Sequence, residues 1–267
     1  MNSDLLNQMV RIDLMEGMRP NTGIDKGRIY CFQRFLVYGV GQKYALRWRT
    51  SKTEELFALL VENRDRIISR SRIIQVLWPE FEEEKSIGYL HTTVYNIKQA
   101  LSSAKINYRL IFINGGYQLT LPDVYIDTTE FLTDVRSELI SSSPSMQGYE
   151  LAFCLYKGRY MEANEYTWAQ SKSDEYAFMY HQLVAAMYEY YIGKNDYSSA
   201  ESILQRALTI DPIDDSFNEM LLTLLLQRND KAAFVRQYNK IKSVYNTELG
   251  ITLNSSMHNL FERAMER

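Results

Sequence analysis

Hydrophobic positions in this chain change rhythm several times. "RIYCFQRFLVYG" (28–39) is rich in β-branched and aromatic residues, and "KYALRW" alternates Tyr44, Leu46 and Trp48 with Ala45 and Arg47. With "GVGQ" (39–42) as a turn, this predicts a small antiparallel strand pair. Helical periods follow. Ser51-x-x-Glu54 reads as a capping box in front of "LFALLVEN". A short second helix is predicted after Ser69, ending at Trp78-Pro79, because the residue before a proline rarely stays helical. "EFEEE" (80–84) predicts an acidic loop, and "SIGYLHTTVYNIKQAL" (86–101) a longer third helix. "YRLIFINGGYQLTL" predicts a strand, a turn at Gly115-Gly116 and a second strand. Ahead of all this, Leu5, Met9 and Ile12 share one side of a short helix over Asp4–Met15, and "RPNTG" (19–23) reads as a linker.

From Asp127 onward the pattern is helical, opening on a second capping box, Asp127-x-x-Glu130. It also repeats. Asn195-Asp196 before "YSSAESILQRALTIDP" recurs 34 residues later as Asn229-Asp230 before "KAAFVRQYNKIKSVYN". That is the tetratricopeptide period, in which helix pairs stack because one pair cannot bury its own apolar face. Ala200 and Ala207 fall where paired helices would approach closely. Gly158-Arg159-Tyr160 before "MEANEY" reads as a degenerate earlier copy.

The third helix carries the candidate chemistry. At about 100° per residue, Leu90, Val94, Ile97 and Leu101 form one buried stripe. Opposite them lie Thr92, Tyr95, Asn96, Gln99 and Ser103, with His91 and Lys98 on one flank and Tyr89 on the other. Ordinary solvated helix faces are filled with Lys and Glu. This face offers neutral hydrogen-bonding groups, which can exchange bonds with base edges, while Thr methyls can pack on thymine. Phosphate contacts could come from Lys98, from Arg70 and Arg72, and from Arg47, Arg49 and Lys52, with His91 able to bond phosphate or base. Spacing alone leaves two readings open, a surface strut and a groove reader.

Charge sharpens this only once it is divided. The total is −3, but residues 28–121 hold fourteen Lys and Arg against eight Asp and Glu. The rest of the chain holds sixteen against twenty-five. A basic segment beside an acidic one suits an anionic partner for the first. Cys31 and Cys154 are far apart in apolar contexts and form neither a disulfide framework nor a metal motif. No apolar run approaches the roughly 18 residues of a membrane span. With no secretory leader pattern, a cytoplasmic location without membrane association is expected. His91, His181 and His258 lack ligand spacing, and no catalytic constellation stands out, so neither metal nor cofactor nor enzyme activity is expected.

Taken in order, residues 28–121 resemble the OmpR-type winged helix-turn-helix DNA-binding domain. "SRSRIIQVLWP" is similar to that family's second helix and "YLHTTVYNIKQAL" to its recognition helix. "LIFINGGYQL" resembles its wing, whose Gly-x-Gly-Tyr-Arg pattern stands here as Gly115-Gly116-Tyr117-Gln118. Residues 122–267 resemble the bacterial transcriptional activator domain, through "ALTIDPIDD", the repeat helices and "YNTELGITLNSSMHNLFERAM". The pair in this order is the architecture of SARP-like regulators. Some of these carry a receiver domain, as in two-component systems, ahead of the winged unit.

The resemblance implies an α+β winged domain (28–121) after a leading helix and linker (1–27), then an all-α, tetratricopeptide-like repeat domain (122–267). It implies a transcriptional regulator of the activating kind that binds double-stranded DNA. The expected base contacts are Thr92, Tyr95, Asn96 and Gln99. Backbone contacts are expected from Lys98, His91, Arg70, Arg72, Arg49 and Lys52, and at the wing from Arg109 and Asn114. Glu82, Glu83 and Glu84 lie in the loop that can touch RNA polymerase, and the repeats would serve dimerisation, signal input or polymerase contact. Two departures matter: the recognition helix holds no arginine, and Asn114 takes the wing's arginine place. They leave a competing reading, a peptide-binding repeat scaffold with a protein-interacting winged module. On the DNA-binding reading they predict weak single-site binding, recovered by dimers or tandem half-sites.

Overall fold

The computed structural model describes residues 25–140 and 145–266; the helix expected at Asp4–Met15 lies outside the described residues. Among the described residues the fold is mostly helical, with two three-stranded sheets. The chain divides into two compact units. The first takes in residues 17–133 together with 159–176, and the second 134–158 and 177–267.

In the first unit, strands β1 (Gly27–Tyr30) and β2 (Leu36–Tyr38) pair antiparallel, and β6 (Val124–Ile126) joins β1 in parallel. The hairpin turn falls at residues 31–35, where Gln33 has φ 68°, and not at "GVGQ". "KYALRW" is not a strand. Residues 43–48 run irregularly beside the outer edge of β2, held by the Leu46 N–H to Val37 C=O bond (2.6 Å). Trp48 packs on Phe57 with ring centroids 5.2 Å apart.

Three helices follow: α1 (Ser51–Glu62), α2 (Arg70–Leu77) and α3 (Glu83–Ser103). The cap of α1 is Thr50, one residue before the expected box, and its hydroxyl accepts from the Thr53 N–H at 3.1 Å. Ser69 caps α2 as expected, accepting from the Arg72 N–H. The acidic "EFEEE" stretch is only partly a loop, because α3 begins at Glu83. Ser86 anchors that start, donating from both N–H and hydroxyl to the Glu82 C=O, and carboxylates suit a helix amino terminus.

A second sheet has the order β3-β5-β4, all antiparallel, from β3 (Ile67–Ser69), β4 (Arg109–Ile113) and β5 (Gly116–Thr120). Ile113 pairs with Gly116, so the two-residue turn is Asn114-Gly115, one position earlier than expected. Both have positive φ, 51° and 72°, as a type I′ turn requires. Gly116 is instead a sheet residue that cannot carry a side chain. A Cβ there would stand 2.4 Å from the Ile68 carbonyl oxygen. Gly116→Ala is therefore expected to break the β3–β5 pairing and cost about 1–3 kcal/mol, as for other overpacked sites; urea unfolding checks this.

Helix α4 (Asp127–Ile140) follows β6 directly. Asp127 does not act through the expected capping box. Its buried carboxylate accepts from the backbone N–H groups of Cys31 (2.9 Å), Phe32 (3.1 Å) and Thr128 (2.7 Å), which ties the β1–β2 turn to the start of α4. Residues 159–164 close on the same turn. The Met161 N–H donates to the Cys31 carbonyl (2.8 Å), the Ala163 N–H to that of Gln33 (2.8 Å), and Phe32 bridges Tyr160. "MEANEY" is thus no repeat copy. Met161 and Glu165 have positive φ, and short 3₁₀ turns stand at Glu162–Asn164 and Thr167–Ala169.

The second unit contains α5 (Met146–Leu155), most of α6 (Gln170–Gly193), α7 (Tyr197–Ile210), α8 (Asp215–Gln227), α9 (Lys231–Val244) and α10 (Ser255–Glu266). The 34-residue spacing has a local cause. Asn195 and Asn229 adopt left-handed φ of 57° and 55°, and the Asp196 and Asp230 N–H groups reach back to the carbonyls of Tyr191 and Leu225. Each Asp side chain then caps the next helix. One Asn-Asp pair therefore stops a helix and starts another. "IDPIDD" does the same with a proline: Asp214 caps α8, and Asn218 donates to the Pro212 carbonyl at 3.0 Å. Ala200 and Ala207 are fully buried.

Candidate nucleic-acid interface

The stripe of α3 formed by Leu90, Val94, Ile97 and Leu101 is buried, joined by Ser86 and Thr93. Helix α2 is set against α3 by aromatic contacts at their junction. Trp78 and Tyr89 lie 6.4 Å apart, and Phe81 meets Tyr89 edge-on at 5.7 Å. The outward stripe of α3 then runs through Glu84, Gly88, His91, Thr92, Tyr95, Lys98, Gln99 and Ser102, all exposed. Only Glu84 and Lys98 on it carry formal charge.

Not every predicted contact stands equally on that face. Tyr95 is 59% exposed. Gln99, Lys98 and His91 are exposed beside it. Asn96 is half-buried on the Thr93 flank and is not centred opposite the core. Thr92 faces out, but its hydroxyl donates back to the Gly88 carbonyl at 3.0 Å. In that rotamer it presents a methyl group and acceptor lone pairs, and no free donor.

The cations are spread over several elements. Arg72 is exposed on α2. Arg70 is placed by backbone: its N–H donates to the Gly115 carbonyl (3.0 Å), so the amino terminus of α2 abuts the β4–β5 turn. Its charge also reaches Tyr117, where it opposes the upward shift that burial imposes on the hydroxyl. Arg49 is exposed just before α1, whereas Lys52 is engaged with Glu55 at 2.7 Å. Arg109 lies at the base of β4, opposite Thr120 and remote from the turn. Asn114 is at the turn tip, where its positive φ already accounts for the residue type. Arg70 is the cation whose backbone is bonded to that tip, and the tip itself carries exposed Phe112 and Ile113. Glu84 is exposed, Glu82 pairs with Lys85 at 3.4 Å, and Glu83 opens the helix.

Sequence reasoning passed over Gly88 and the apolar turn tip. The first was readable as a glycine well inside a helical period. The second needed the register of β4 against β5. Among the described residues, no three His, Cys, Asp or Glu side chains are grouped to hold a metal, and no helix is long and apolar enough to cross a membrane.

Residues 133–264 match the bacterial transcriptional activator domain family. That half of the chain is a bacterial transcriptional activator domain. Together with the named transcriptional regulators that the chain is similar to, it supports a SARP-like regulator. Over 87 residues the chain is 30% identical to the transcriptional regulatory protein EmbR of Mycobacterium tuberculosis, covering 32% of this chain and 22% of EmbR. Over 234 residues it is 21% identical to MoaR1 of the same organism, also named a transcriptional regulatory protein, covering 82% of this chain and 73% of that one. The solved structure of M. tuberculosis EmbR in complex with a low affinity phosphopeptide is similar in fold, with a TM-score of 0.66 at 19% identity. That likeness covers 90% of this chain and 65% of the EmbR chain. The activator domain and these relatives are those of transcriptional regulators, not of enzymes.

Proposed function

We propose that the chain is a DNA-binding transcriptional regulator, acting in the cytoplasm, whose first unit is a winged helix-turn-helix. In this reading α2 and α3 are the helix-turn-helix, α3 lies in the major groove, and the β4–β5 hairpin is the wing. The single observation that carries it is the outward stripe of α3. It is exposed, nearly uncharged and rich in groups that bond base edges, on a segment with surplus positive charge elsewhere. Tyr95, Gln99 and Thr92 stand best placed for bases, Thr92 through its methyl group. Arg70, Arg72, Lys98 and Arg49 stand best placed for phosphates. Asn96 is left at the edge of the surface, and Arg109 at the wing's base.

The helical unit, by its 34-residue punctuation, fits a tetratricopeptide-like repeat that pairs two copies, receives a signal or meets RNA polymerase. Glu82 and Glu84 offer a second surface for polymerase. Promoter activation that survives charge reversal at both glutamates, with DNA binding intact, removes that role.

A salt-titrated gel shift, followed by selection from a random duplex pool, tests the DNA reading. Gln99→Ala and Thr92→Ala should each relax preference at one base pair by about 1–3 kcal/mol. Lys98→Ala should weaken all sequences alike and lower the salt slope by about one. The half-site spacing recovered reports whether two copies bind together. If folded protein shifts no duplex at low salt, direct DNA binding is wrong and the peptide-scaffold reading replaces it.

A further inference from the structure

Gly88 has no role in the fold. It is the sixth residue of a 21-residue helix, it is exposed, and a Cβ built on it meets nothing within 4 Å. Every other described glycine stands at positive φ, in a contact that a Cβ would crowd, or at a helix end. A glycine inside an exposed helical turn weakens the helix relative to alanine, through backbone entropy. Here that cost has no return within the chain. It is explained if something outside the chain closes on bare helix backbone at this point.

The surroundings narrow what that is. Gly88 lies on the outward stripe, one turn before Thr92, and its carbonyl accepts the Thr92 hydroxyl. Glu84 stands exposed one turn earlier on the same stripe. A phosphate at Gly88 would stand against that carboxylate, and the neighbouring cation, Lys85, is already paired with Glu82 at 3.4 Å, so electrostatics disfavours the DNA backbone there. A base edge carries no net charge and meets no such repulsion. Thr92 is small and Glu84 stands a full turn away, so the bare backbone at Gly88 forms a local notch in the stripe. Resting on the DNA-binding reading above, we infer that Gly88 is the point at which the bare backbone of α3 comes closest to a base edge.

The test is Gly88→Ala in the full chain, which leaves the core untouched. The urea midpoint should rise, as for any exposed helical Gly→Ala change. Affinity for a duplex selected by the wild-type chain should fall by about tenfold or more, the scale of one lost base contact. Affinity for a scrambled duplex of equal length at low salt should stay unchanged. If Gly88→Ala binds the selected duplex as tightly as wild type, the close approach is refuted. An equal loss on both duplexes would place the DNA backbone at Gly88 and refute the base-edge assignment. A wild-type chain that binds neither duplex refutes the underlying DNA-binding reading, a different outcome from both.

Discussion

Replacing Asp127 by alanine is expected to destabilise the first unit by about 3–5 kcal/mol. The carboxylate is the shared acceptor of three backbone N–H groups, those of Cys31, Phe32 and Thr128. Removing it leaves those donors buried without a partner, which costs more than any one hydrogen bond contributes. Asp127→Asn should lie between the two, because its amide oxygen keeps one acceptor while its NH₂ faces donors. The wild-type carboxyl also leaves a pH signature. Burial pushes its pKa up to about 6, against the pull of its backbone donors. In the unfolded chain an aspartate titrates near its ordinary value, so between the two the folded state binds the extra proton. Stability from this group is therefore fully present below about pH 4 and is lost as pH rises through about 6, by about 3 kcal/mol in all. That segment of the pH–stability curve should flatten in both variants. Urea unfolding at pH 5 and pH 7, together with amide exchange at Cys31 and Phe32, reads both effects.

On the DNA-binding reading, the triple change Arg70→Ala, Arg72→Ala, Lys98→Ala is expected to lower affinity for every duplex by about two to three orders of magnitude at 0.1 M salt. It should also flatten the salt slope by about three, at roughly 0.9 per phosphate contact. Arg72 and Lys98 are exposed, and Arg70 is fixed beside the β4–β5 turn by its own backbone bond. None of the three side chains has an ion-pair partner among the described residues, so their removal orphans no charge within the fold. The sequence preference measured on the Arg70/Arg72/Lys98 variant should match wild type. A changed preference with an unchanged slope would reverse the division of labour between α3's neutral groups and these cations.

What could be read from the sequence follows the range of the interactions involved. The buried stripe of α3 was legible because helical period is local, and so was the recurrence of the Asn-Asp pair at 34 residues, though not its capping role. β3 and β6 were not legible. Each has three residues, too few to show alternation, and each takes its place from a distant partner: β3 from β5, β6 from β1. Asp127 looked like a helix cap because carboxylates before helices usually are, and nothing near it announces donors 95 and 96 residues away. "MEANEY" looked helical because left-handed φ at Met161 and Glu165 is rare for such residues. The candidate surface was half legible. The wheel put Thr92, Tyr95 and Gln99 on the exposed side, but Asn96's burial, the back-bonded Thr92 hydroxyl and Arg70's place beside the β4–β5 turn depend on packing.

The closure of residues 159–164 onto the β1–β2 turn also bears on how the molecule comes to be made. The Phe35 N–H waits for the side chain of Asn164, a partner 129 positions further along the chain. Such contacts repay their loop-closure entropy only after the intervening chain exists. Synthesis delivers the amino terminus first, so the strands and helices of the first unit emerge from the ribosome well before the segment that completes them. The part of the protein made first is finished late, and a nascent chain arrested before residue 159 would carry an open edge at that turn.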